Sequence, residues 1–208
     1  MEPLSLGVLV SGNGTNLQAI LDATRSGRLA ARVVTVISNR PGVRALSRAE
    51  AAGVPARSID HQRFASRAEF DAALVAELRQ AGAEWVVLAG FMRLLTPGFL
   101  AAFPGRVINI HPSLLPAFPG VNAIEQAWNY GVTVTGVSVH LVDEGTDSGP
   151  IISQVPVAIE ADDTLESVEA RIHAAEHELY VEALCRIQRG AVELERLRRR
   201  RGGGVGGR

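Results

Sequence analysis

The 208-residue chain has no lysine: all 21 of its basic residues are arginines. That absence excludes a Schiff-base lysine and the lysine of a Walker-type phosphate loop. Cysteine is almost absent too. Cys185 stands alone, so no intrachain disulfide can form, which fits a reducing compartment. No apolar run is long enough to span a bilayer. The segment from Met1 to Leu6 carries an acid and a proline but no basic stretch of the kind that opens a secretory signal. Together these absences lead us to expect a cytoplasmic protein with no membrane partner.

What is present suits a soluble globular chain. Apolar residues make up 47% and charged residues 21%, enough to bury a real core in one sizeable domain. The charge is unevenly spread. Six arginines fall between Arg196 and Arg208, and the rest of the chain holds 15 arginines against 22 acids, a net charge of −7. An acidic body makes nucleic acid an unexpected partner. Any anionic ligand must be held by local devices. We therefore expect one domain over 1–190, followed by an Arg/Gly-rich disordered tail over 191–208.

The hydrophobic pattern alternates strand and helix. Leu6–Val10, Arg32–Ser38, Pro55–Ile59, Trp85–Leu88 and Val107–His111 read as strands; Thr15–Arg25, Val43–Ala52, Arg67–Gln80 and Pro97–Phe103 read as helices. Such alternation predicts an α/β fold with a doubly wound, mostly parallel sheet. The last third differs. After a helix over Ala123–Tyr130, the runs Thr133–Val142 and Ile151–Ile159 are joined by a short turn-rich loop, which predicts an antiparallel pair. Pro156 puts the second of them near an edge or bulge. A long final helix over Thr164–Arg189 is capped by Asp163 or Thr164.

Four constellations could carry chemistry. The first is Asn109-Ile-His-Pro-Ser-Leu-Leu-Pro116, where a strand stops at a proline. Asn109 and His111 are two apart and share a face, with Ile110 on the other. An amide donor beside an imidazole can polarise a carbonyl and move a proton without metal or covalent chemistry. The second is Ser11-Gly-Asn-Gly-Thr-Asn16, between the first strand and the first helix, where backbone N–H groups can take phosphate. Leu17 stands where a dinucleotide fingerprint needs its third glycine, and no acid ends the second strand, so NAD is disfavoured. A plain capped turn and a monophosphate cradle remain, and the small polar residues favour the cradle. The third is Asp147 in the acidic turn 143–150, either a solvated turn residue or the partner that keeps His111 charged. The fourth is His173-Ala-Ala-Glu-His177, which matches the inverted zinc-peptidase pattern. It lies on the last helix, where little chain remains to supply a third ligand, so no metal is expected. Glu176 could still face a ligand. Cys185 reads as a packing residue.

Ser11-Gly-Asn-Gly-Thr-Asn-Leu-Gln18, Val87-Leu-Ala-Gly-Phe-Met-Arg-Leu-Leu95, the Asn109–Pro116 block, and Gly136-Val-Ser-Val-His140 followed by Asp147-Ser-Gly-Pro-Ile151 come in order along the chain. In this the sequence resembles the phosphoribosylglycinamide formyltransferase family of the folate-dependent formyltransferase superfamily. The likeness runs to about Gly190. It implies a Rossmann-like mixed sheet, mostly parallel, twisted, with helices on both faces. It implies two small-molecule partners, 10-formyltetrahydrofolate as cosubstrate and 5-phosphoribosylglycinamide (GAR), whose amine attacks the formyl carbon directly. It also implies roles: Asn109, His111 and Asp147 in catalysis; Gly12, Asn13, Gly14, Thr15, Asn16 and Glu176 toward GAR; Arg67, Phe91, Met92, Arg93, Leu94, Leu95, Leu141, Val142 and Asp143, with Asn109 and Asp147, toward the folate. Ser148 stands where a glycine is frequent, and Asn122 where His or a basic residue is frequent. Oligomeric state is left open, a homo-oligomer included.

Other readings are a methionyl-tRNA formyltransferase or a formyltetrahydrofolate hydrolase, each of which carries a further domain not expected here. A non-catalytic nucleotide-binding module would leave Asn109, His111 and Asp147 without a task.

Overall fold

The computed structural model describes residues 2–192; the greater part of the expected tail, from residue 193 on, lies outside the described residues. Seven strands, β1 (Leu4–Val10), β2 (Ala31–Ser38), β3 (Ala56–Ser58), β4 (Trp85–Leu88), β5 (Val107–His111), β6 (Val134–Leu141) and β7 (Ile151–Ala158), form one sheet in the order β3-β2-β1-β4-β5-β6-β7. The pairs among the first five are parallel, and β5–β6 and β6–β7 are antiparallel. The sheet is therefore the mixed, mostly parallel one expected, with the hairpin in the last third. β7 with its Pro156 is an edge strand, where a residue without an N–H is tolerated.

Alternation along each strand sorts the core into two layers. Leu6, Val8, Val10, Val87, Ile108 and Ile110 meet α1 (Thr15–Arg25), α2 (Arg44–Ala51) and α6 (Leu165–Gln188), through Leu17, Ile20, Ala45, Ala49, Ile172 and Leu184. Leu9, Ile37, Val86, Leu88 and Val107 meet α3 (Arg67–Gln80) and α4 (Pro97–Ala102), through Phe70, Leu74, Leu78 and Phe99. Packing is close enough that a Cβ on Gly7 of β1 would collide with a Leu78 methyl. The remaining helix, α5 (Ala123–Tyr130), precedes β6. Caps set several helix starts. Ser66 accepts from Glu69 N–H, Thr96 accepts from Phe99 N–H ahead of Pro97, and Thr164 with Ser167 makes a reciprocal box. Thr164, not Asp163, is the cap of α6; Asp163 instead receives the Ser167 hydroxyl and the Arg171 guanidinium.

Two details carry no local signal in the sequence. His61–Arg63 forms a short 3₁₀ turn, too brief to leave a periodic signal. β6 is buried on both faces, because the loop after β5 folds over its polar side. Ser138 Oγ accepts from Leu115 N–H and donates to Ser113 O, 3.0 and 2.6 Å away. That loop contains a cis Leu115–Pro116 bond. Cys185 sits half-buried against the core.

β1 and β4 are neighbours although β2 and β3 intervene in the chain. The strand order thus reverses between β1 and β4. In open α/β sheets the crevice at the carboxyl ends of such strands is where ligands bind.

Candidate active site

β5 lies next to β4 and ends at this crevice. Its alternation turns Ile108 and Ile110 into the α1/α6 layer and sets Asn109 and His111 on the opposite face. The antiparallel register places His140 of β6 directly across from Asn109. Asp147 arrives from the loop that joins β6 to β7, and its carboxylate closes the group. Oδ2 lies 3.3 Å from His111 Nδ1 and accepts the Gly120 N–H at 2.8 Å. Oδ1 accepts from Asn109 Nδ2 at 3.4 Å and lies 3.6 Å from His140 Nε2. Asn109 Nδ2 is also 3.3 Å from His140 Nε2. Three side chains expected to converge from distant parts of the sequence therefore do so, and they bring a fourth with them.

The cluster is shielded from solvent: side-chain exposure is 5% for His111, 2% for His140 and 13% for Asp147. Burial pushes the Asp147 carboxyl up. The contact with His140, the Gly120 N–H and the charges of the two imidazoles outweigh it and hold the group below its usual value. Asp147 is thus an anion at neutral pH. It also has a left-handed backbone, φ 50°, uncommon for a residue other than glycine and held here by the bonds its side chain makes. His111 is fixed at both nitrogens, since Nε2 lies 2.8 Å from the Phe118 carbonyl. Both neighbours of this ring are acceptors, so a ring that donates from both nitrogens satisfies both.

The Gly-rich turn lies on the same edge. Ser11 follows β1, and Gly14 is the N-cap of α1 with φ 76°. A Cβ there would come within 2.6 Å of Ala45 Cβ and 2.9 Å of its Cα, so glycine is required by conformation and by space. Thr15 and Asn16 open the helix, whose first N–H groups lack intrahelical partners. Asn16 Oδ1 is buried without a partner among the described residues.

Ser11 also ties this turn to the segment after β4. Its N–H donates to Gly90 O at 3.1 Å, its hydroxyl accepts from Met92 N–H at 2.8 Å, and it donates to Asn39 Oδ1 at 2.6 Å. Of the residues expected toward the folate, Phe91 and Leu95 turn into the α3/α4 core, while Met92 and Leu94 are exposed by 65% and 55%. Arg93 lies over the Phe70 ring, 5.6 Å from its centre. Leu141 and Val142 are packed in the core layers, and Asp143 accepts from Ser148 Oγ at 2.7 Å. Arg67 begins α3 at the surface.

Glu176 is buried on α6. Tyr180, one turn further along that helix, is anchored by hydrogen bonds to the carbonyls of Leu88 and Ile108 at 3.0 and 3.2 Å, which fixes α6 against β4 and β5. Complete burial drives the Tyr180 hydroxyl well above its ordinary value, so it stays a neutral donor. Glu176 Oε2 is 2.7 Å from His173 Nδ1. That hydrogen bond raises the His173 value despite partial desolvation. Burial lowers that of His177, whose Nε2 has no partner among the described residues. Only Oε2 of Glu176 is engaged by His173, and among the described residues no group of three or more His, Cys, Asp or Glu is arranged to hold a metal.

Sequence reasoning missed three participants. His140 carries no role in the sequence reading; its two-residue offset from Ser138 is the available signal. Asn39, expected only as a non-acid at the end of β2, is the buried partner of Ser11. Arg48 of α2 donates to Asn13 O at 2.9 Å, to Asn13 Oδ1 at 3.1 Å and to Gln18 Oε1 at 3.1 Å, a contact that no local pattern announces.

Comparison with known proteins gives one coherent result. Residues 5–184 match the family model described as formyl transferase. The chain is 43% identical over 173 residues to phosphoribosylglycinamide formyltransferase of Bacillus subtilis, covering 83% of this chain and 89% of that protein. It is 46% identical over 189 residues to the trifunctional purine biosynthetic protein adenosine-3 of Bos taurus, covering 91% of this chain but 19% of that protein. The chain thus spans less than a fifth of the length of such trifunctional relatives. Among solved structures, glycinamide ribonucleotide transformylase 1 of Symbiobacterium toebii superposes with a TM-score of 0.88 at 50% identity, covering 90% of this chain and 89% of that one.

Proposed function

The chain belongs to the formyl transferase family, and on that premise we propose that it transfers the formyl group of 10-formyltetrahydrofolate to the primary amine of 5-phosphoribosylglycinamide. The products are formyl-GAR and tetrahydrofolate, in the cytoplasmic synthesis of purines. The observation that carries this reading is the meeting of Asn109, His111 and Asp147 in one shielded cluster at the carboxyl edge of the sheet.

The residue types suit the reaction. The amine nitrogen adds to the formyl carbon, and the carbonyl oxygen becomes an oxyanion. The Asn109 amide and the cationic form of His111 supply the donor and the charge that stabilise it. Asp147, an anion beside His111 Nδ1, balances that charge and offers a carboxylate to carry a proton from the attacking amine toward the departing folate nitrogen. The new C–N bond forms, the old one breaks, and no enzyme atom becomes covalently attached. A chain without lysine, and with its one cysteine on the far end of α6, has no need of a nucleophile here.

Binding divides along the same edge. Gly12, Asn13, Gly14, Thr15 and Asn16 receive the ribonucleotide phosphate at the start of α1, with buried Glu176 accepting from its hydroxyls. Met92 and Leu94 offer exposed apolar surface to the folate ring, beside the backbone of Phe91–Leu95 and 141–143 and the arginines Arg67 and Arg93. A hydrolase using the same donor is the second reading, because an oxyanion site would serve water as well as an amine.

One assay separates these. Purified protein is mixed with 10-formyltetrahydrofolate, with and without GAR, and loss of the formyl donor is followed. Consumption that requires GAR, with formyl-GAR as product, supports transfer. Consumption without the amine assigns hydrolysis, and no consumption in either case overturns the reading.

A further inference from the structure

We propose that Arg48 of α2 is a positioning residue that sets the orientation of the phosphate cradle, and with it the affinity for the phosphorylated substrate. The proposal rests on the assignment of residues 12–16 to the ribonucleotide phosphate. The cradle can bind an anion only if its N–H groups face outward. In a trans peptide the C=O and N–H of one unit point in opposite directions. Whatever fixes a carbonyl therefore fixes the following N–H on the other side.

α2 fixes two successive carbonyls of this turn. The Ala45 N–H donates to Gly12 O at 3.2 Å, and Arg48 Nε donates to Asn13 O at 2.9 Å. The N–H groups of Asn13 and Gly14 are thereby turned away from α2, and nothing among the described residues accepts them. The other arms of the guanidinium complete the hold. Nη2 takes the Asn13 side-chain oxygen and Nη1 reaches Gln18 on α1, both at 3.1 Å. One planar fork thus spans the turn and the helix that follows it, a geometry lysine's single ammonium cannot copy. The contact of the Gly14 backbone with Ala45 brings α2 against the same turn. Arg48 acts from behind the cradle, so it meets the phosphate only through the peptide planes it holds.

The test uses Arg48→Met, Arg48→Lys and, as a control on the same helix, the exposed Arg44→Gln. Each is compared with wild type in steady-state kinetics for both substrates and in direct titration with ribose 5-phosphate and with ribose. Loss of hydrogen bonds from a charged donor predicts that Arg48→Met raises the KM for GAR and the Kd for ribose 5-phosphate by about tenfold or more. The kcat, the KM for the formyl donor and the response to ribose stay as in wild type. Arg48→Lys recovers part of the loss, and Arg44→Gln has no effect. A wild-type KM for GAR and Kd for ribose 5-phosphate in Arg48→Met overturns the proposal. So does an equal decline of every parameter together with the melting temperature, which would mark a merely structural role. The titration needs no turnover. If wild type fails to formylate GAR yet Arg48→Met weakens ribose 5-phosphate, the enzymatic assignment falls and the role of Arg48 stands.

Discussion

Replacing Asp147 with asparagine tests the centre of the cluster while changing its shape little. The carboxylate has four polar neighbours: Gly120 N and His111 Nδ1 on Oδ2, Asn109 Nδ2 and His140 Nε2 on Oδ1. Asparagine has one oxygen to offer. With that oxygen kept on the Gly120 N–H, its NH₂ faces the Asn109 amide, donor against donor, and the charge opposite His111 is gone. A hydrogen bond to a charged group contributes about 1.5–3 kcal/mol. Proton transfer by a positioned group contributes about 10²–10⁴ in rate, or about 2.7–5.5 kcal/mol of barrier. The kcat for formyl transfer should therefore fall by about 10²–10⁴. The fold should persist, with a melting temperature lowered by roughly 2–4 °C for each kcal/mol lost.

A pH corollary follows from the depressed value of Asp147. Its contribution to stability is present above 3.8 and is lost as pH falls through the lower native value. The difference in melting temperature between wild type and variant should therefore be full at pH 7 and shrink in strong acid. Stopped or continuous assays of donor consumption, beside melts by circular dichroism, give both quantities. A variant that keeps wild-type kcat removes Asp147 from the mechanism.

Three further outcomes are expected. Gly14→Val forces a β-branched residue into φ 76° and against Ala45, so ribonucleotide affinity should drop by more than about tenfold, since strain in the left-handed region alone costs about 1–2 kcal/mol; equal affinity in calorimetric titration refutes the cradle. His140→Leu removes a neighbour of both Asn109 and Asp147 and should lower kcat by about 10–100-fold, and an unchanged kcat would show His140 to be mere packing. The raised value of His173 means that its bond to Glu176 stabilises the fold fully below 6.5 and ceases to do so as pH rises through the higher native value. With the imidazole half in solvent, His173→Gln should lower the melting temperature by about 1–4 °C at pH 6 and by less at pH 9; the same deficit at both would refute the linkage.

Much of the fold was legible because hydrophobic period and stop signals are local. Thr15–Arg25, Arg67–Gln80, Trp85–Leu88, Val107–His111 and Ala123–Tyr130 begin and end where their patterns do. The antiparallel turn of the last third could be read from two β-branched runs and a short acidic loop. The 3₁₀ turn at His61 could not, since three residues carry no period. The double burial of β6 was invisible for another reason: it depends on which loop comes to lie over Ser138 and His140.

The candidate site divides in the same way. Sequence alone determined that Asn109 and His111 share a face, because pleating imposes a period of two on any strand, and that Gly14 stands where a turn becomes a helix. Only the tertiary structure decided that Asp147 meets His111, that His140 stands across from Asn109, and that Arg48 grips the Asn13 carbonyl. Those contacts join residues 31 to 36 positions apart. No side chain reaches that far along a chain; the sheet order and the strand register bring them together, and both are properties of the whole packed molecule.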